Sequence, residues 1–320
     1  MRGAGAMPGR KRDLPADAAR LVKRRRLGPL SSLRVSPKII QRYVQCGWWF
    51  ALWLLHFQLP LAMTPEQLDL QVQEYLEQLW DNNADQSVAA NTISAVQHFL
   101  RNSCKLKGSW KLLTQWRKAE PSCRAPPMSE AIAKAMAMSA LLAGDVGFAI
   151  SMLLGFYAYL RTGEIQTLCF RQLVFSTDGS QLVLALGKCK SGKRKNQDEF
   201  VTLDHQPTIA ITIAFVKNKP GNHLVCGVTP ARWRQLFQHH LAGLHLGNVD
   251  LRPYSLRRGG ATHAFSTTNS MSLVLERGRW AHTSTARIYV MEGLAIVQNT
   301  RLSAQQRQVV TTMGALWGYS

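Results

Sequence analysis

Arg161, Arg257, Tyr289 and a lysine-rich turn holding Lys188, Lys190 and Lys193 are the side chains of this 320-residue chain whose types and settings could do chemistry. The segment "LRPYSLRRGGATHAF" (Leu251–Phe265) sets Arg257 and Arg258 against Gly259 and Gly260. Consecutive helical residues point about 100° apart, so one arginine can face a site while its neighbour looks elsewhere. Guanidinium is a planar, permanently charged fork suited to phosphate, and a helix start adds N–H groups aimed at the same anion. A phosphate group is the ligand this stretch fits. The plainer alternative is a solvated arginine pair.

Three further segments carry candidates. "YAYLRTGEI" puts Arg161 at the mouth of an apolar helix, with Glu164 at i+3 able to orient it. "KCKSGKRK" presents lysines at a hairpin tip. "RGRWAHTSTARIYV" (Arg277–Val290) places Trp280 before a turn, after which Thr283 or Ser284 is expected to cap a helix carrying Tyr289. Singly, each has a structural explanation: an ion pair, solvated lysines, a core tryptophan, one tyrosine among seven.

The elements that must hold these residues read as follows. Residues 36–118 form a helical domain, with "TPEQLDLQVQEYLEQLWDN" (Thr64–Asn82) opening on a Thr cap, a proline and early acids. "SVAANTISAVQHFLRNSCKL" and "WKLLTQWRKA" read as further helices. "CGWWFALWLLHFQLPLAM" (Cys46–Met63) has no charge over 18 residues. It contains His56, Gln58 and Pro60 and reads as a buried, tryptophan-rich helix rather than a membrane span. Three prolines in "EPSCRAPPM" make 119–128 a linker. Residues 129–320 then form the second domain. Its nearly all-apolar helix starts at Asp145, and strands follow at Gln172–Ser176, Gln181–Gly187 and Glu199–Leu203, with Asp178-Gly179 as a hairpin turn. The fold class is mainly α with a small antiparallel β-sheet.

Charge points to the partner. The formal net charge is +20. Residues 1–26 hold nine Lys/Arg against two Asp, which leaves +13 on the body. An excess of this size indicates a polyanion, nucleic acid first. Residues 1–35 read as a disordered basic tail, and "RKRDLPADAARLVKRRR" (Arg10–Arg26) resembles a bipartite nuclear-import signal. The six cysteines show no C-x-x-C or zinc spacing, so a reducing compartment and neither metal nor cofactor are expected.

Together and in order, Arg-x-x-Glu after a buried helix, a lysine hairpin, Tyr-Ser-Leu-Arg-Arg-Gly-Gly, and Gly-Arg-Trp with a tyrosine nine residues on resemble the tyrosine recombinase (phage-integrase) family, over about residues 36–300. The resemblance implies a helical core-binding domain that clamps double-stranded DNA and a catalytic domain that breaks and rejoins it. Tyr289 would be the nucleophile that keeps the 3′ phosphate. Arg161 and Arg257 would clamp its oxygens, with Arg258 turned elsewhere and Gly259 and Gly260 allowing close packing. Lys190 would protonate the 5′ leaving group, Trp280 would buttress the tyrosine, and Glu164 would support Arg161. The chemistry is coherent: fixed arginines stabilise the developing charge without metal, and cations lower the proton affinity of tyrosine and of lysine.

Tyr254 stands where the family usually has His, three residues before Arg257; it can donate a hydrogen bond but accepts a proton poorly near neutrality. His263 and His282 are near in sequence, at other positions. The resemblance further implies a homo-oligomer, a tetramer on synapsed DNA, and a eukaryotic mobile-element source. A type IB topoisomerase shares the chemistry, but the compact helical domain ahead of the linker is more like a recombinase. A DNA-binding protein derived from such an enzyme, with turnover lost, is the alternative that Tyr254 raises.

Overall fold

The computed structural model describes residues 22, 25, 35–62, 64–100, 105–121, 124–187, 198–217 and 219–317. The lysine turn (Lys188, Lys190, Lys193) lies outside them, as does the basic segment Arg10–Arg26 apart from Val22 and Arg25. Two compact units divide the chain, Met1–Cys123 and Arg124–Ser320.

The first unit contains α1 (Pro37–His56), α2 (Pro65–Asp81), α3 (Gln86–Phe99) and α4 (Lys107–Ala119). Thr64 caps α2 through its side chain, which accepts from Gln67 N at 3.3 Å. Asp69 does the same service for α4 from a distance: its carboxylate accepts from Gly108 N (2.7 Å) and Ser109 N (2.9 Å), where the helix dipole favours a negative charge. Leu54, Val72, Leu76, Ile93 and Leu113 form the core. The uncharged stretch departs from expectation. Its helix ends at His56 and buries only the face of Cys46, Phe50 and Leu54. Trp48 is 61% exposed and Leu55 72%, beside an apolar groove of about 630 Å³. One row of spaced apolar residues suffices to join a helix to a small core, and the others stay outside. No described helix is long and apolar enough to cross a membrane. The third helix stops at Phe99, short of the stretch read as helical, and Lys105 and Leu106 are not helical.

In the second unit, α5 (Glu130–Leu142) and α6 (Val146–Tyr157) lie at the centre. Every residue of α6 from Phe148 to Tyr157 is buried, as its lack of charged positions allows, with the one hydroxyl of Ser151 donating to the Phe148 carbonyl. Next come α7 (Thr162–Thr167), β1 (Leu173–Phe175), β2 (Leu182–Gly187) and β3 (Glu199–Leu203), paired antiparallel in the order β1-β2-β3. Leu173 faces Leu184 and Leu182 faces Leu203, so one face of the sheet is apolar and buried while Val174 and Phe200 are exposed on the other. Gly179, at φ +69, makes the β1–β2 turn.

Helix α8 (Gln206–Val216) was not legible in the sequence, because its Ile and Thr residues favour strands and its burial supplies the missing preference. The chain then runs through α9 (Pro230–Gly243), α10 (Tyr254–Thr268), α11 (Met271–Gly278), α12 (Thr283–Arg287), α13 (Glu292–Arg301) and α14 (Ala304–Leu316). Helix α14 packs on α5, and α10 crosses α6. The α10 crossing is tight. A Cβ at Gly260 would stand 1.9 Å from the Phe156 carbonyl oxygen, and one at Gly259 would stand 2.0 Å from that of Met128. These glycines let the arginine-bearing helix press on protein backbone.

Candidate active site

Helix α10 positions three of the candidates. Tyr254 is its first residue, and Arg257 and Arg258 follow one turn on, both buried despite their charge. Arg257 is 1% exposed; its Nη1 donates to the Tyr159 carbonyl and its Nη2 to that of Gly278 at 2.7 Å. Tyr159 can offer that carbonyl because the chain turns through the left-handed region there, at φ 46, between α6 and α7. Burial, then the neighbouring Arg279 and Arg161 charges, push Arg257 down to about 10, which leaves it charged at neutral pH. Arg258 is directed differently, donating to the Ala125 carbonyl at 2.9 Å and to Met291 Sδ at 3.3 Å. Its guanidinium still lies 5.8 Å from the Tyr289 ring, so "elsewhere" is not far.

Tyr289 does not sit in a helix. Helix α12 is a single short turn that ends at Arg287, its N-cap is His282, and Tyr289 follows in a turn closed by its N–H donating to the Ala286 carbonyl at 2.8 Å. The expected cap at Thr283 or Ser284 and the expected longer helix both fail here. Thr283, Ser284 and Thr285 are weak helix formers, and the ring is instead placed by packing. Trp280 lies 4.4 Å from the Tyr289 ring and 4.7 Å from the Arg257 guanidinium, which is itself 5.4 Å from the Tyr289 ring. Cation, indole and phenol thus form one mutually touching cluster.

The Tyr289 and Tyr254 hydroxyls share a 2.5 Å hydrogen bond. Burial opposes ionisation of Tyr289, but the bond to Tyr254 and the Arg257 charge outweigh it and hold the hydroxyl below the ordinary tyrosine value. Tyr254 moves the other way, raised to about 12 by burial, by the bond to Tyr289 and by that neighbour's charge. Of the two, Tyr289 is therefore the one that ionises, with Tyr254 as the donor to it.

Arg161 is the N-cap residue of α7 and pairs with Glu164, Nη1 to Oε1 at 2.6 Å, while its N–H donates to Glu164 Oε2 at 2.8 Å. Two residues not singled out in the sequence join them. Glu199, at the start of β3, is 3.8 Å from Arg161, and Arg279 binds both acids. Against burial, Arg279 and Arg161 hold the Glu164 carboxyl down at about 2. Only the position of Arg279 beside Trp280 hinted at a role; Glu199 carried no local signal. The histidines near in sequence serve other ends: His263 is 3.5 Å from Glu130, and His282 precedes α12.

Arg161, Glu164, Arg257, Trp280, Tyr254 and Tyr289 thus contribute to one neighbourhood of the second unit, and Lys190 is outside the described residues. Chemically, the arrangement offers a hydroxyl disposed to ionise among guanidiniums, a setting for an anionic electrophile. Among the described residues no group of three or more His, Cys, Asp or Glu could hold a metal ion.

No protein-family model and no curated protein matches this chain. Among solved structures it is similar to XerA recombinase at 14% identity, over 88% of this chain and 94% of that one, with a TM-score of 0.41. It is also similar to XerH site-specific recombinase bound to its difH substrate in a pre-cleavage complex (12% identity, 73% and 70% covered, TM-score 0.48). For the XerH post-cleavage complex with palindromic difH the values are 14% identity, 69% and 73% covered, and a TM-score of 0.43.

Proposed function

We propose that this protein is a site-specific recombinase that cleaves and rejoins double-stranded DNA through a 3′-phosphotyrosyl link. One observation carries the reading: the Tyr289 hydroxyl is hydrogen-bonded to Tyr254 and gathered against Arg257 and Trp280, with its acidity raised. In the reaction, Tyr289 Oη bonds to phosphorus as the P–O5′ bond breaks. Arg161 and Arg257 stabilise the charge that builds on the non-bridging oxygens. The Tyr289 proton leaves to solvent, Tyr254 stabilises the resulting oxyanion by donating its hydroxyl to it, and Lys190 supplies a proton to the 5′ oxygen. Reversal reseals the strand, because the phosphotyrosyl ester conserves the bond energy. The helical unit ahead of the linker clamps the duplex, several copies assemble on synapsed DNA, and the Arg10–Arg26 segment directs the protein to a nucleus, as befits a eukaryotic mobile element.

A second reading has its own observation. Arg257 spends both terminal nitrogens on backbone carbonyls and is 1% exposed, and Tyr254 replaces the usual His, as in a DNA-binding descendant that has lost turnover. Incubation with nicked duplexes, followed by a denaturing gel, separates the two. The enzyme gives a protein–DNA adduct that Tyr289→Phe abolishes. The descendant gives salt-sensitive DNA binding and no adduct, with Tyr254→His equally silent.

A further inference from the structure

Arg258 has no part in the chemistry above, and it is held unlike the arginines that meet Glu164. It is 3% exposed, and its hydrogen-bond partners are neutral. Nη1 donates to the Ala125 carbonyl at 2.9 Å and to Met291 Sδ at 3.3 Å, and the buried Nε–H has no acceptor among the described residues. Buried charges are ordinarily paired, because an ion taken out of water loses its hydration. Glu292, the acid next to Met291 in the chain, accepts instead from Ser266 Oγ at 2.8 Å. Burial, then the Arg124 charge, lower the Arg258 pKa, while Tyr254 and Tyr289 act the other way. The guanidinium lies 5.8 Å from the Tyr289 ring, and Tyr254 stands one turn back on the same helix.

The same face of α10 holds the backbone around Tyr289. Thr262, four residues on from Arg258, donates from Oγ1 to the Tyr289 carbonyl at 3.1 Å and accepts from Met291 N at 3.2 Å. Arg258 adds the Met291 side chain to this hold and joins it to Ala125. Ala125 in turn opens a buried run, 125–128, in which Met128 N donates to the Ser255 carbonyl at 3.1 Å. The guanidinium is thus fixed on both sides by groups that carry no charge.

We propose that Arg258 is a positioning residue for strand cleavage: held by Ala125 and Met291, it is a fixed countercharge against which the Tyr289 phenolate forms. This rests on the reading of Tyr289 as the nucleophile. A cation already in place stabilises the phenolate without reorganisation, and its carbonyl and thioether partners do not cancel its field. Arg258 acts through Tyr289 and needs no contact with the phosphate.

The test follows the acidity of Tyr289 directly. The full chain is labelled with 13C at tyrosine Cζ, and the Tyr289 resonance, identified as the one missing from Tyr289→Phe, is tracked with pH. Arg258→Gln, which can still donate to the Ala125 carbonyl, should raise the Tyr289 midpoint by about one pH unit, as for loss of one charge at this range. Arg258→Lys keeps the charge and should hold the midpoint near that of wild type. On nicked DNA, Arg258→Gln should form adduct about fivefold more slowly near neutral pH. The deficit should vanish at a pH where Tyr289 is ionised in both proteins.

Melting temperatures show which variants keep the fold. A folded Arg258→Gln protein with the wild-type midpoint overturns the proposal. So does a folded Arg258→Lys protein whose midpoint rises by about one pH unit, and that result decides even where Arg258→Gln does not fold. A wild-type midpoint at or above the ordinary tyrosine value of about 10 ends it without any variant. Adduct formation is scored separately. Its absence from wild type counts against the enzymatic reading, while the Tyr289 resonance still decides the role of Arg258.

Discussion

Half-buried Tyr289 and buried Tyr157 are phenols in the same unit, and their environments drive them in opposite directions. Tyr157 ends α6, donates to Glu130 Oε1 at 2.7 Å and stacks on His205 at 3.7 Å between ring centroids. Burial raises its pKa, and the Glu130 hydrogen bond and charge raise it further, so it stays a neutral donor at neutral pH. Tyr289 meets the same opposition from burial, but its partners are a second phenol and a guanidinium, and they reverse the sign. Burial alone never makes a tyrosine more acidic. The charge of what it touches does, and here the carboxylates lie against Arg161 and Arg279.

The largest expected effect tests this contrast directly. Tyr289→Phe should eliminate covalent adduct on nicked DNA, and Tyr157→Phe should leave it; equal adduct from wild type and Tyr289→Phe would end the assignment of Tyr289. Next comes Arg257→Ala, which removes the cation that separates the two phenols. Adduct formation should fall by about 3–4 kcal/mol of transition-state stabilisation, as for loss of an oxyanion donor. Arg258→Ala, its guanidinium tied to the Ala125 carbonyl, should lower adduct far less at equal folded fraction.

The acids extend the comparison to pH. Glu164 drops from an ordinary 4.5 to about 2 on folding, so its stabilisation is complete above about 4.5 and is lost as pH falls toward 2. Linkage puts that at on the order of 3 kcal/mol. Acid melting curves of wild type and Glu164→Gln should diverge over that window, the variant being the flatter. A smaller effect belongs to Tyr254→Phe. Loss of the donor should slow adduct formation roughly tenfold, within the range for a hydrogen bond to a charged group, and move the pH–rate midpoint upward. An unmoved midpoint would show that Tyr254 does not tune Tyr289. The smallest is Tyr157→Phe itself, about 1 kcal/mol of stability from a hydrogen bond, read in urea titration.

How much of this was legible differs by residue. The three strands, the Asp178-Gly179 turn, the Thr64 cap and the buried α6 helix could be read because each depends on neighbours a few residues away. Helix α8 could not, since local preference pointed to strand and burial overrode it. The tryptophan helix misled for a related reason: an uncharged run states what can be buried, and only the size of the core that receives it decides how much is.

For the site, order and spacing along the chain were enough to select Arg161, Arg257, Trp280 and Tyr289, because a reaction needs particular groups and their types are visible in any sequence. Tertiary structure alone decided the rest. It gave Arg257 its two backbone carbonyls, pressed Tyr254 against Tyr289, and drew Arg279 to Glu164 and Glu199 across 115 and 80 residues of chain. The reason is range. Helix caps, turns and strand alternation are settled over a few bonds. The acidity of a phenol is settled by charges within a few ångströms in space, wherever along the chain they arise.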